Sequence, residues 1–119
     1  KKGIEMINEV YAGDVVTPPE GNVFTDIMLE QVFAEVWSRD VLSIRDRRIL
    51  LLGIIAEKGE PMTFGIQVKA ALKNGELSPA EVRELLLMIA QYAGYPRAAA
   101  IVGIVEQKIA EVEAEKKAK

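Results

Sequence analysis

Apolar residues in this chain recur three and four positions apart, and no stretch alternates apolar and polar over a strand's length. That spacing, punctuated by Gly and Pro, predicts one all-α domain over residues 1–119, a bundle of about six helices. The sharpest start signal is Ser78-Pro79-Ala80-Glu81: an N-cap serine, proline at the first helical position and glutamate at the third. The helix it opens runs through residues 85–92 to Gly94. Upstream, Ser43 paired with Asp46 starts a helix whose run at 49–56, ILLLGIIA, is apolar on nearly every face and is expected to be the most buried. Gly59 stops it, and Pro61 opens the next helix, which closes at Lys73-Asn74-Gly75. Nearer the start, Asn22 or Thr25 caps a helix carrying Ile27, Met28, Leu29, Val32, Phe33, Val36 and Trp37. A short helix near residues 4–11 precedes it across a loop holding Pro18 and Pro19. Pro96 opens the last helix, with Ile101, Val102, Val105, Ile109 and Val112; the polar tail at 113–119 is expected to fray.

What the chain lacks narrows its chemistry. It has no Cys, hence no thiolate nucleophile and no disulfide, and no His, hence no imidazole base and no His-based metal site. A proton must be handled by Asp, Glu, Lys or Tyr. The net charge of −3 comes from interspersed acids and bases, which form no track for a phosphate backbone, so nucleic acid is not an expected partner. No apolar run approaches 18 residues, so no membrane span is expected, and no signal peptide is read ahead of the domain; the cytoplasm is the expected compartment. Half the residues are hydrophobic but only 6% are aromatic, which predicts an aliphatic core. A bundle this small cannot cover helices that are apolar on more than one face, so a homo-oligomer is expected.

One side chain stands out against the helical pattern. With residues 61–74 on a helix at ~100° per residue, Phe64, Val68, Ala71 and Leu72 form an apolar arc, and Lys69 and Lys73 mark the wet side. Gln67 falls nearly opposite Lys69, with Thr63 one turn before it. A buried amide left without partners costs on the order of 1–3 kcal/mol, so Gln67 needs hydrogen bonds or a ligand. It is either a satisfied core glutamine or the polar floor of a small apolar cavity shared with Thr63 and walled by Trp37 or Tyr92. Arg47 could clamp a carboxylate in a bidentate fork or pair with a neighbouring acid. Glu57 and Glu60 are carboxylates that lie just before this helix in sequence.

From Trp37 and Leu42 through Arg47, QVKAALKNGELSPAEVRELLL and YAGYP, the chain resembles the carboxymuconolactone decarboxylase family, which includes alkylhydroperoxidase-like members. The resemblance covers roughly residues 33–107. It implies an alkylhydroperoxidase-like fold, assembly into trimers or hexamers, a small carboxylated ligand, and no metal or organic cofactor. The family's His position is Gln67 here and its Glu or Cys position is Thr63, so the usual acid–base pair is replaced. Trp37, Arg47, Thr63, Gln67 and Tyr92 are the candidate substrate-binding residues. Two readings stay open: a cofactor-free decarboxylase of a small carboxylated lactone or oxo acid, and a non-catalytic oligomeric scaffold or ligand-binding member. Thiol peroxidase activity is not expected without Cys.

Overall fold

The computed structural model describes residues 2–16 and 21–118. The described residues form helices joined by turns. They are α1 (Lys2–Val10), α2 (Val23–Ile27) running into a π-helical segment (Met28–Val36), α3 (Ile44–Lys58), α4 (Pro61–Lys73), α5 (Pro79–Ala93) and α6 (Tyr95–Ala118). The all-α reading of about six helices holds. Of the proline loop, residues 17–20 lie outside the described residues.

The chain divides into two compact units, Lys1–Arg47 and Arg48–Lys119. In the first, α1 packs on the π-helical segment through Ile7, Val10 and Phe33, all buried. Tyr11 and Phe33 meet as tilted rings 5.8 Å apart between centroids. Gly3 lies so close to the Leu29 backbone that a Cβ there would collide with its carbonyl oxygen. Asn22, rather than Thr25, is the N-cap of α2: its Oδ1 accepts from the Thr25 N–H at 3.2 Å.

The second unit holds one continuous aliphatic core contributed by α3, α4, α5 and α6, with Leu52, Phe64, Val68, Val82, Ile101 and Val105 among its buried members. Ser78 and Glu81 complete the capping box that their spacing predicts, each side chain bonding the other's backbone N–H at 3.1 and 2.9 Å. The most buried helix is α4, not α3. Of its 13 residues Phe64, Gly65, Gln67, Val68, Ala70, Ala71 and Leu72 are buried, whereas α3 buries Arg48, Leu52, Ile55 and Ala56 and leaves Leu50 and Ile54 in the open. A run that is apolar all round says that a helix could be buried on every side; it does not supply the neighbours. The tail differs from expectation as well. α6 continues helical to Ala118, because Glu115 reaches back to Lys69 at 2.8 Å and Lys73 at 3.7 Å on α4.

Candidate functional site

The site is built around Arg48, the residue after the arginine singled out by sequence. Arg48 lies on the core side of α3, in line with Leu52, Ile55 and Ala56 at i+4, i+7 and i+8, and is 0% exposed. A guanidinium cannot shed its charge, so burial obliges it to find acceptors on several sides. Glu76 supplies two of them: Arg48 Nε donates to Oε1 at 2.9 Å and Nη2 to Oε2 at 3.2 Å, the bidentate fork. Gln67 supplies a third, its Oε1 accepting from Arg48 Nη1 at 2.5 Å. Asn74 steadies the carboxylate, its Nδ2 donating to Glu76 Oε2 at 3.0 Å.

Local sequence explains how Glu76 arrives there. After α4, Gly75 adopts φ +72, a conformation that costs a side-chain-bearing residue but not glycine. The Gly75 N–H bonds the Leu72 carbonyl at 3.2 Å and the Glu76 N–H bonds the Ala71 carbonyl at 3.0 Å. This Schellman turn brings the chain back over the end of α4 and returns Glu76 to the buried arginine. Three separate segments are thereby tied by one cation.

The polar side chain that the helical wheel singles out therefore has an identified partner. Gln67, 2% exposed, is a satisfied buried amide, and its partner is a side chain of α3. Thr63, one turn earlier on α4, is exposed. Neither residue lines any of five well-formed clefts among the described residues. Tyr92 is 86% exposed on α5 and does line one, an apolar cleft shared with Gly53, Glu57, Met88, Ile89 and Ala93. In the first unit, Trp37 is buried beside a cleft of about 400 Å³ that also includes Glu9, Arg39, Asp40 and Ser43. Arg47, in the same unit, donates from Nη2 to the Arg39 carbonyl at 3.2 Å; its Nε is buried and makes no hydrogen bond among the described residues. Sequence reasoning missed Arg48 and Glu76. The signal for Arg48 was present, since it sits on the apolar arc of its helix. Glu76 follows an Asn-Gly turn and carried none.

Chemically, the Arg48–Gln67–Glu76 cluster orients and neutralises: one buried cation is held against a carboxylate and an amide oxygen. The fold and this cluster define an aliphatic helical bundle organised around a buried cation. Residues 24–107 match the model of the carboxymuconolactone decarboxylase family, and the chain belongs to that family. It is 29% identical over 101 residues to a nitrosuccinic acid decarboxylase of Metarhizium robertsii, covering 80% of this chain and 70% of that protein. It is 26% identical over 113 residues to a 4-carboxymuconolactone decarboxylase of Acinetobacter baylyi, covering 90% and 84%. No solved structure matches the chain.

Proposed function

We propose that the protein catalyses cofactor-free decarboxylation of a small acid whose own carbonyl or nitro group takes up the electron pair released as carbon dioxide leaves. The observation that carries this reading is that both relatives, found along most of the chain, are decarboxylases of small carboxylated acids. In such a reaction the bond from carbon to carboxylate breaks, the pair delocalises into the substrate's own acceptor, and a proton then adds at carbon. The protein's part is to hold the acid, shape the environment and deliver that proton. With no His in the chain, the proton comes from a carboxylic acid, a tyrosine, a lysine or water. Arg47 is the residue suited to hold a substrate carboxylate, because its buried Nε donor gains a partner when an oxygen accepts from it.

Carbon dioxide release from nitrosuccinate and from 4-carboxymuconolactone tests the reading. Turnover above the uncatalysed rate, with a raised KM in Arg47→Ala, is the expected result; no release from either acid would count against it. The second reading, a non-catalytic ligand-binding member, is favoured by Gln67 being tied to Arg48 instead of presenting an acid or base. It predicts that carboxylated ligands raise the melting temperature without being consumed.

A further inference from the structure

Arg47 carries a half-filled fork. In Arg48 the Nε–Nη2 edge of the guanidinium meets both oxygens of Glu76, at 2.9 and 3.2 Å. On Arg47 the same edge has Nη2 donating to the Arg39 carbonyl at 3.2 Å, while Nε is buried and makes no hydrogen bond among the described residues. One carbonyl oxygen fills one of two parallel donors; a carboxylate fills both. Because Nε is buried, a carboxylate reaches it only when what lies against that edge moves, and the Arg39 carbonyl lies against it. Arg39 follows directly on an unusual helix. Met28–Val36 is π-helical over nine residues, whereas most π features are single turns within an α-helix, frequently at functional sites. The Trp37 N–H closes it on the Val32 carbonyl, five residues back, at 2.9 Å. The Ser38 hydroxyl donates to the Ala34 carbonyl and the Arg39 N–H to the Val36 carbonyl at 3.2 Å, so the 37–40 turn moves with the segment. MLEQVFAEV has no Gly or Pro that would impose the wide register. The same residues can take four-residue bonds, and that change re-aims the turn.

We propose that residues 37–40 are a latch: the Arg39 carbonyl occupies half of a carboxylate-binding fork on Arg47, and a small carboxylic acid displaces it. The acid's two oxygens then accept from Nε and Nη2 together, as Glu76 does on Arg48. The turn is released as the helical segment ahead of it passes from five-residue to four-residue bonds. Trp37, Ser38, Arg39 and Asp40 line a cleft of about 400 Å³, within the size range of small-molecule sites, so the turn that covers the fork also bounds a space for the acid. The choice of a carboxylate as ligand rests on the decarboxylase reading; the latch itself rests on the half-filled fork. Affinity is reduced by the fraction of molecules in which the turn is closed.

Titration of the intact chain with succinate, followed by fluorescence and by thermal melting, tests this. Trp37 is the one tryptophan of the sequence and is buried, so its emission reports movement of the turn. The expected result is a saturable change in emission together with a raised melting temperature. Both should be lost in Arg47→Ala and in Arg47→Lys, which keeps the charge but cannot form the fork. Ser38→Ala, which removes a hold on the closed turn without touching Arg47, should tighten succinate binding by up to about tenfold. A raised melting temperature with unchanged emission would mean that the acid binds with the turn in place, and would overturn the latch. Weaker or equal binding in Ser38→Ala, a response that survives Arg47→Lys, or no response of either kind would do the same. Carbon dioxide release from nitrosuccinate keeps the two readings apart. Release without a Trp37 response upholds the decarboxylase and removes the latch, and a Trp37 response without release does the reverse.

Discussion

Arg48 and Gln67 illustrate how a buried polar group is read correctly only once its partner is known. Removing Gln67 takes one acceptor away from a fully buried guanidinium, so Gln67→Leu should lower stability by roughly 1–3 kcal/mol despite its apolar gain. Arg48→Met should cost more, about 3–5 kcal/mol, because it strands the largely buried Glu76 carboxylate. Adding Glu76→Leu to Arg48→Met should recover much of that loss, since removing both charges together leaves none buried. Urea denaturation of the two single variants and the double variant measures the coupling; additive losses would show that the pair does not act as a unit. The amide was legible in the sequence because its helix is regular and Lys69 and Lys73 mark the wet side. Its partner Arg48 was marked only by its place on the apolar arc of α3, and Glu76 not at all, because it lies 28 residues from Arg48 and meets it through a turn set by Gly75.

At the scale of elements, α4 and α6 approach closely at Gly65. A Cβ there would stand 2.7 Å from Ile104 Cγ2, so the glycine is the condition for the crossing. Alanine is the better helix former by about 1 kcal/mol, yet Gly65→Ala should destabilise by about 1–3 kcal/mol through overpacking. A thermal melt gives the sign directly. The same helix pair is held by charge at its rim. The bond from Lys69 holds the Glu115 carboxyl below its ordinary value of 4.5. Desolvation pushes Glu111 up, but bonds from Lys69, Gln107 and Lys108 outweigh it and the net shift is downward. Arg83 on α5 lowers Glu106 in the same way. Carboxyls whose folded values are depressed stabilise above the unfolded value and lose that contribution as pH falls through the folded one. The melting temperature should therefore drop as pH is taken from 4.5 downward, and less steeply in high salt, where exposed pairs are screened. Helix starts and stops were legible because caps are local chemistry. Which helix is innermost was not, and neither was the helical tail, because both depend on what the rest of the chain places beside them.

For the whole molecule, composition sets the terms on which activity responds to pH. Without His or Cys, no side chain of ordinary pKa titrates between carboxylates near 4 and tyrosine or lysine near 10. If decarboxylation is carried by side chains in their ordinary ranges, kcat/KM should stay flat from about pH 6 to about pH 9. A falling acid limb would identify a carboxylate that must be ionised, and a falling alkaline limb a tyrosine or lysine that must stay protonated. An inflection near neutrality would contradict the flat profile and require a carboxylate raised, or a lysine lowered, by several units through burial. Arg48 is the residue to compare against that outcome. It is the fully buried cation of the second unit, and its fork with Glu76 already commits the acid beside it. A neutral inflection that survives Glu76→Gln would place the titrating group outside the buried cluster, at a carboxylate, lysine or tyrosine within reach of substrate. One that disappears with Glu76→Gln would make the cluster itself the proton-handling centre and overturn its reading as a purely orienting device.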